Sequence, residues 1–295
     1  SSELYRKRWR AAGVEPRIIQ KIEDLNKLPF TTGQDLTKAY HDKGMDKVIC
    51  SQVWTWFYMA GSNKTQLWIP FSKQDILLTL EQLARLSRVV GINDGDILLL
   101  MAHPAPAPSD AIAYFAAYAS KLGQGRNVEI IPISLELLEL RADWIHICRQ
   151  RQPTILFASP SSALKLAESM PKSLLAGLRL GLFYEEPLDL HREAIMSTYA
   201  LEPYEIYGFA EFFAFNVECQ AHDGIHIWLD NCIVEIIPQT ELRKEQADAK
   251  YMPSTVPLTE ADCGLVGECV ITTFSEALPL IRYRTGNLIE VVTTN

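Results

Sequence analysis

Glu211 is a carboxylate placed where metal-assisted chemistry on a phosphate could occur. It follows the Tyr207-Gly208 pair at the end of a short run that predicts a β-strand. Open α/β sheets bind ligands outside the carboxyl ends of their strands, and Mg²⁺ prefers carboxylate oxygens. Phosphoryl transfer needs such a metal ligand together with backbone donors for the phosphates. An isolated Y-G-x-x-E pattern marks a surface turn more often than a metal site, so its flanks must decide between the two.

Tyr207 and Gly208 could form a surface for a planar ligand beside this carboxylate. A tyrosine ring can stack on a nucleotide base, and glycine lets the backbone approach a ligand because it lacks a Cβ. A core aromatic side chain and a turn glycine are the alternative interpretations of these two residues.

Cys219 and His226, with His222 between them, suggest a second hypothesis, which is a zinc site. Thiolate and imidazole groups at short spacing are normal zinc ligands, and Cys263 or Cys269 could supply a fourth. Structural zinc sites usually contain closely spaced cysteine pairs, and the six cysteines of this chain include no C-x-x-C pair. We therefore expect these side chains to be packed in the fold, without zinc.

The composition predicts a soluble globular protein and does not exclude a small anionic substrate. The chain has 295 residues, of which 48% are hydrophobic, and a formal net charge of -8. Without a basic run, that charge argues against a nucleic-acid-binding surface. The N-terminus lacks the apolar core of a signal peptide, and no apolar run is long enough to cross a bilayer. These features predict a cytoplasmic protein with reduced thiols and no membrane contact, and they leave a homodimer open.

The elements that must position these residues belong to an α/β fold with a mainly parallel sheet. A capping-box-like start at Ser72 and Asp75 predicts a helix that continues to Gly91. Apolar runs then alternate with helical patterns up to the strand before Gly208, which is typical of a parallel sheet covered on both faces. Predicted strands lie at residues 96–101, 127–133, 154–158, 178–183 and 205–207.

After Glu211 the pattern changes to strands without helices between them. This change predicts a smaller antiparallel or barrel-like unit, in which the polar segment 241–250 is a loop or surface excursion. We thus expect an N-terminal helical segment at residues 1–45, an α/β subdomain at 46–211 and a β-rich subdomain at 212–295.

Three stretches of the sequence resemble the phenylacetate-CoA ligase type of AMP-forming acyl-CoA synthetases. The first is residues 5–36, with an A-A-G-V-x-P turn followed by L-P-F-T-T. The second is Y-G-F-A-E at 207–211, followed by E-C at 218–219 and G-I-H-I-W at 224–228. The third, L-P-L-I-R-Y-R-T-G-N at 278–287, nearly reproduces a segment that ends the large N-terminal domain of those ligases. Because the three occur in the family's order, the flanks favour the functional interpretation of Glu211.

The resemblance implies a two-step reaction in which ATP, with Mg²⁺, activates a carboxylic acid as an acyl adenylate and CoA then displaces AMP. Aryl acids are the nearest substrate class, and Glu211 would be the catalytic and Mg²⁺-binding residue. The acid pocket would include Tyr114 and Phe115. The residues that match nucleotide-binding positions of the family are Gly61, Ser62, Asn63, Lys64, Glu186, Pro187, Tyr207, Gly208, Ala210 and Asn287.

Several of these positions depart from the family's pattern. The family's phosphate loop, S-S-G-T-T-G-K-P, retains only Gly61 here. Tyr184 and Glu185 replace the small residues of G-G-E-P or G-A-E-P, and Asn287 replaces the aspartate that holds the ribose. The 295 residues also lack the family's small C-terminal domain, so we expect either a truncated chain or a natural fragment. Two hypotheses stay open, an adenylate-forming ligase and a catalytically impaired relative that binds a small molecule or a protein.

Overall fold

In the computed structural model, the described residues are 2–60, 66–101, 126–134, 141–208 and 215–292. The strands are β1 (Thr55–Ala60), β2 (Gln66–Phe71), β3 (Ile97–Met101), β4 (Glu129–Ile133), β5 (Ile155–Ala158), β6 (Leu180–Phe183), β7 (Glu202–Tyr207), β8 (Asn216–Glu218), β9 (Ile225–His226), β10 (Cys232–Pro238), β11 (Val256–Pro257), β12 (Val266–Thr273) and β13 (Tyr283–Glu290). The helices are α1 (Glu3–Ala11), α2 (Gly33–Lys43), α3 (Lys73–Val89), α4 (Arg141–Arg151), α5 (Pro160–Ser169), α6 (Lys172–Leu175), α7 (Arg192–Thr198) and α8 (Gln239–Ala247). Short 3₁₀ helices occupy Pro16–Ile18, Ile22–Lys27, Met45–Lys47, Leu188–Leu190 and Leu258–Glu260.

The chain divides into two compact units. Unit 1 contains residues 1–56, 60–75 and 228–295, and unit 2 contains residues 57–59 and 76–227. None of the helices within the described residues combines the length and apolarity that crossing a lipid bilayer requires.

Unit 2 is built around a seven-stranded sheet in the order β4-β3-β5-β6-β7-β8-β9. The strands from β4 to β7 in this order are parallel, whereas β8 and β9 are antiparallel additions at one edge. Four consecutive buried residues form each of β5 and β6, as expected for strands covered on both faces. The predicted mainly parallel sheet is therefore confirmed.

One face of this sheet carries a core cluster in which side chains of alternate strand positions meet the helices. Leu99, Leu156 and Phe183 from the strands pack with Leu166 of α5 and Ile195 of α7. Alternation along a strand sends the intervening residues to the opposite face. Phe157, which follows Leu156, is buried on that second face.

Helix α3 begins and ends as its sequence predicts. The Ser72 N–H donates to the Asp75 carboxylate at 2.8 Å, and the Asp75 N–H donates to the Ser72 hydroxyl at 3.1 Å. Gly91 follows the helix with a φ of +76°, a left-handed conformation that glycine adopts without a Cβ clash. The Asp75 carboxylate also accepts from the backbone N–H groups of Glu276 and Ala277, at 2.7 and 3.0 Å.

Unit 1 contains a four-stranded antiparallel sheet in the order β11-β10-β12-β13. All four strands lie after Glu211, which confirms the separate antiparallel sheet expected in that part of the chain. Thr31 of the L-P-F-T-T segment pairs with Tyr283 at the start of β13, through backbone bonds to Arg282 at 2.9 Å and from Arg284 at 2.8 Å. Two segments from opposite ends of the sequence therefore form one structural element.

The segment 241–250, expected to be a loop or surface excursion, contains most of helix α8. Glu241 in its first turn accepts bonds from Lys244 at 2.6 Å, from the Tyr251 hydroxyl at 2.7 Å and from the Ser254 N–H at 2.9 Å. These donors, with the bond from Lys244 as the largest cause, lower the pKa of Glu241 to about 2. The sequence did not predict this helix, because a polar helix held by side-chain bonds has no apolar periodicity.

Candidate functional site

The carboxyl ends of β5, β6 and β7 place three polar segments at one edge of the unit 2 sheet. After β5, Ser159 caps helix α5, and its hydroxyl accepts from the Ser162 N–H at 3.3 Å. After β6 comes the segment 184–187, and after β7 comes the exposed Gly208. Ligands of open α/β sheets bind at this edge, so it is the candidate site of unit 2.

Glu186, predicted to bind a nucleotide, lies against the N-terminus of α5. Its carboxylate accepts from the Ser161 hydroxyl at 2.6 Å and from the Ser161 N–H at 3.3 Å, and His191 Nε2 lies 3.5 Å away. A carboxylate at this position satisfies a helix N–H group and complements the helix dipole. Glu186 therefore joins the segment after β6 to the helix after β5, while Pro187 begins a 3₁₀ turn. No pattern in the sequence indicates the partners Ser161 and His191.

Tyr184 and Glu185 show how the chain accommodates side chains where the related family has glycine or alanine. The Tyr184 ring lies 4.5 Å from the Phe157 ring, centroid to centroid, and its hydroxyl donates to the Met101 carbonyl at 3.4 Å. Glu185 is exposed, with a φ of +71°. This left-handed conformation costs a residue with a Cβ about 1–2 kcal/mol.

Tyr207 and Gly208 end strand β7 beside an antiparallel partner. Tyr207 is half-buried and pairs with Asn216 of β8. Other predicted site residues lie outside the described residues, and their roles stay predictions: Gly61, Ser62, Asn63, Lys64, Tyr114, Phe115, Ala210 and Glu211.

Asn287 lies in unit 1, on strand β13, where the register of the pairing between β12 and β13 shifts. Gly286 before it has a φ of +74°, and its N–H donates to the Glu268 carboxylate at 3.2 Å. The Asn287 N–H donates to the Thr285 hydroxyl at 3.1 Å, which in turn donates to the Cys269 carbonyl at 2.8 Å. These hydrogen bonds fix the backbone at Asn287, whose side chain is half-buried.

Three carboxylates that the sequence did not single out meet beside β7 and β8. Oxygens of Asp189, Glu205 and Glu218 all lie within 4.8 Å of one another. Arg192 supplies countercharge, with bonds to Glu218 at 2.6 Å and to Asp189 at 3.1 Å. Burial, together with the nearby carboxylates, raises the pKa of Glu205. No sequence signal marks this cluster, because its members come from three separate elements.

Of the residues in the zinc hypothesis, His222 is engaged by two carboxylates and a tyrosine ring. His222 lies 2.6 Å from Glu202 through Nε2 and 3.3 Å from Glu218 through Nδ1, and its ring packs on Tyr204. Cys219 is half-buried and His226 is exposed. Within the described part of the chain, the group of metal-ligand types that lie close together includes neither of them.

The chain is similar in sequence to curated phenylacetate-coenzyme A ligases. It is 29% identical over 300 residues to the enzyme of Pseudomonas putida, covering 97% of this chain and 61% of that protein. It is 30% identical to the enzyme of Aromatoleum evansii, covering 96% and 61%. The chain thus spans about three fifths of the length of these relatives. No protein-family model matches it.

The fold is shared with a solved 2-hydroxyisobutyryl-CoA ligase, described in an open conformation with 2-HIB-AMP and CoA. The TM-score is 0.77 at 20% sequence identity, over 97% of this chain and 60% of that one. The resemblance noted in the sequence is confirmed by these relatives and by this shared fold.

Proposed function

Because the chain is related to phenylacetate-CoA ligases along nearly its whole length, we propose that it is the large part of an AMP-forming acid-CoA ligase. The substrate would be a small carboxylic acid, with aryl acids as the nearest class. The observation that carries this proposal is the sequence similarity over 97% of the chain. The structural relative that holds an acyl adenylate and CoA supports the same type of reaction.

The proposed reaction has two steps. In the first, a carboxylate oxygen of the acid attacks the α-phosphorus of ATP, and the bond to the leaving pyrophosphate breaks. In the second, the CoA thiolate attacks the acyl carbon and AMP leaves with its electron pair. Most of the catalysis of such a first step is positioning and charge neutralisation, so the binding residues carry it.

The proposed roles follow the resemblance residue by residue. Tyr207 and Gly208, with Ala210, would line the adenine, and Asn287 would hold the ribose. Mg²⁺ would neutralise phosphate charge, with Glu211 as its proposed ligand. The remaining proposed contacts are the phosphate loop and the pocket walls: Gly61, Ser62, Asn63, Lys64, Glu186, Pro187, Tyr114 and Phe115.

Two observations suggest that this chain binds nucleotides more weakly than a typical member. The Glu186 carboxylate is already engaged by Ser161, and the Tyr184 ring lies across the carboxyl edge of the sheet. Each lost charge-assisted contact costs about 1.5–3 kcal/mol, so two losses would move a micromolar site to about millimolar or beyond.

Calorimetric titration with MgATP and a panel of aryl acids tests the proposal. We expect weak MgATP binding that Glu211→Gln abolishes and that Glu260→Gln, at an exposed position, leaves unchanged. Binding of neither nucleotide nor acid at concentrations up to about 30 mM would contradict the ligase. Tight binding that survives Glu211→Gln would contradict the proposed role of Glu211.

The second candidate function is a catalytically impaired relative that binds a small molecule or a protein. The position of Tyr184 at the ligand-binding edge favours it, because the ring stands where the family has a small residue. Binding of an acid without any nucleotide would distinguish it from the ligase. For either function we propose a cytoplasmic protein without nucleic-acid or membrane partners, in which a homodimer can be tested by light scattering.

A further inference from the structure

The aromatic ring of Tyr184 lies over the place where an open parallel sheet binds ligands. The chain passes from β3 to β4 on one side of β3 and returns to β5 on the other side. This is a topological switch point, and open α/β sheets bind ligands outside the carboxyl ends of the strands at such points.

Among the described residues, Phe157 and Met101 hold the Tyr184 side chain across this switch point. Its ring packs on Phe157 of β5, at 4.5 Å between centroids and 30° between the ring planes. Its hydroxyl reaches the carbonyl of Met101, the last residue of β3, at 3.4 Å. The side chain therefore starts at the end of β6 and spans the ends of both strands that flank the switch point.

Both contacts are of a kind that a ligand could replace. A hydrogen bond of 3.4 Å is near the long limit and contributes little. The side chain is half-buried, so one part of it already faces solvent. Beneath it, Phe157 is almost fully buried and would stay in place as a platform, since only 3% of it is exposed.

We propose that Tyr184 is a specificity-determining residue, whose phenol fills a subsite for an aromatic group of similar size on the face of Phe157. A ligand with an aromatic ring and a donor group would reproduce the contacts of the tyrosine with Phe157 and Met101. While the tyrosine ring stays in place, it excludes any other group from the subsite, and a ligand enters only when the ring moves away. The assignment of this aromatic group to an aryl acid substrate rests on the proposed function, whereas the subsite itself does not.

Phenol rescue of a truncated side chain tests the subsite directly. We expect about 10 mM phenol to raise the melting temperature of Tyr184→Ala by about 3 °C more than that of the wild type. Tyr184→Phe keeps the ring and should respond like the wild type. Cyclohexanol, a probe without an aromatic face, should not reproduce the effect. Equal responses of all three proteins to phenol would overturn the proposal.

A second variant and a second ligand separate the subsite from the ligase function. If Tyr184→Ala does not fold, Tyr184→Val frees part of the same space and should show a smaller phenol response, and no response would overturn the proposal. Titration with phenylacetate and AMP then tests the function. A phenol response in a variant that binds neither compound supports the subsite and contradicts the ligase. A missing phenol response contradicts the subsite even if AMP binds.

Discussion

Arg282 and Glu235 form a bidentate ion pair in the interior of unit 1. The Arg282 Nε–Glu235 Oε2 distance is 3.1 Å, and the Nη2–Oε1 distance is 2.9 Å. The remaining donors of the guanidinium bond to the carbonyls of Asn26 and Leu28 and to the Thr255 hydroxyl. All five N–H groups of the arginine are thereby satisfied in a position of which only 3% is exposed.

We predict that Arg282→Lys lowers the free energy of unfolding by about 2–5 kcal/mol, from buried acceptors that lose their donors. Lysine has three N–H donors in place of five and cannot form the planar fork, so at least two of the five acceptors would lose their donors. Urea denaturation followed by circular dichroism measures this. The matched control is Arg243→Lys on the exposed face of α8, which should change stability by less than about 0.5 kcal/mol. A loss at Arg282 as small as at Arg243 would show that the pair is not a structural requirement.

Glu185 adopts a conformation that favours glycine. With a φ of +71°, its Cβ is strained, and we predict that Glu185→Gly is more stable than Glu185→Ala by about 0.5–1 kcal/mol. The comparison with alanine removes the contribution of the glutamate side chain itself. Thermal denaturation of the two variants measures the difference. Alanine equal to or more stable than glycine would show that the backbone strain is absent in solution.

The raised pKa of Glu205 predicts a pH-dependent gain in stability for Glu205→Gln. Its causes are burial first, then the carboxylates of Glu218 and Asp189. Because the folded state binds this proton more tightly, stability falls as pH rises from the unfolded pKa of about 4.3 through the folded value. Glutamine cannot ionise, and it should stabilise the protein at neutral pH but not near pH 3.

Denaturant midpoints measured from about pH 3 to pH 8 test this prediction. Glu193→Gln on the exposed side of α7 is the control, and its midpoint difference from the wild type should not vary with pH in the same way. A Glu205→Gln variant that is less stable than the wild type at pH 7 would mean that Arg192 pairs with Glu205 strongly enough to outweigh its burial.

For the metal question, we predict that the purified protein carries no zinc. His222 is engaged by Glu202 and Glu218, and the burial of Cys269 raises the pKa of its thiol, which disfavours the thiolate that zinc needs. Elemental analysis after purification without added metal measures the content. About one equivalent of zinc, lost in Cys219→Ser, would contradict the prediction, because structural zinc binds tightly.

The sequence predicted the elements that bury continuous apolar runs and missed those held by specific polar bonds. Strands β3, β5 and β6 were recognised because almost every residue in them is apolar. Helix α8 was not, since its stability depends on Glu241 and partners that follow it in a loop. Apolar periodicity reports burial and carries no information about side-chain hydrogen bonds.

In the candidate site, too, the sequence reveals the residue types but not the contacts that they make. The departure at Tyr184 was visible in the sequence, but its bond to Met101 was not, because the two are 83 residues apart. Likewise, the resemblance indicated the R-Y-R-T-G segment but not its role, in which Arg282 binds an element 47 residues away. Such pairings depend on how the strands and helices are arranged in space. The types of the individual residues do not reveal that arrangement.

Titration of AMP into the wild type and into the Tyr184→Gly/Asn287→Asp double variant tests the central claim, that this fold retains the nucleotide site of an acid-CoA ligase. A carboxylate at position 287 accepts ribose hydroxyls in stronger bonds, and loss of the Tyr184 ring opens the carboxyl edge of the sheet. We predict that AMP binds the double variant at least about five- to thirty-fold more tightly than the wild type, from a gain of about 1–2 kcal/mol. Asn287→Asp alone is the comparison that shows how much of the gain comes from position 287. Absence of AMP binding at millimolar concentration in the wild type and in both variants would contradict the claim.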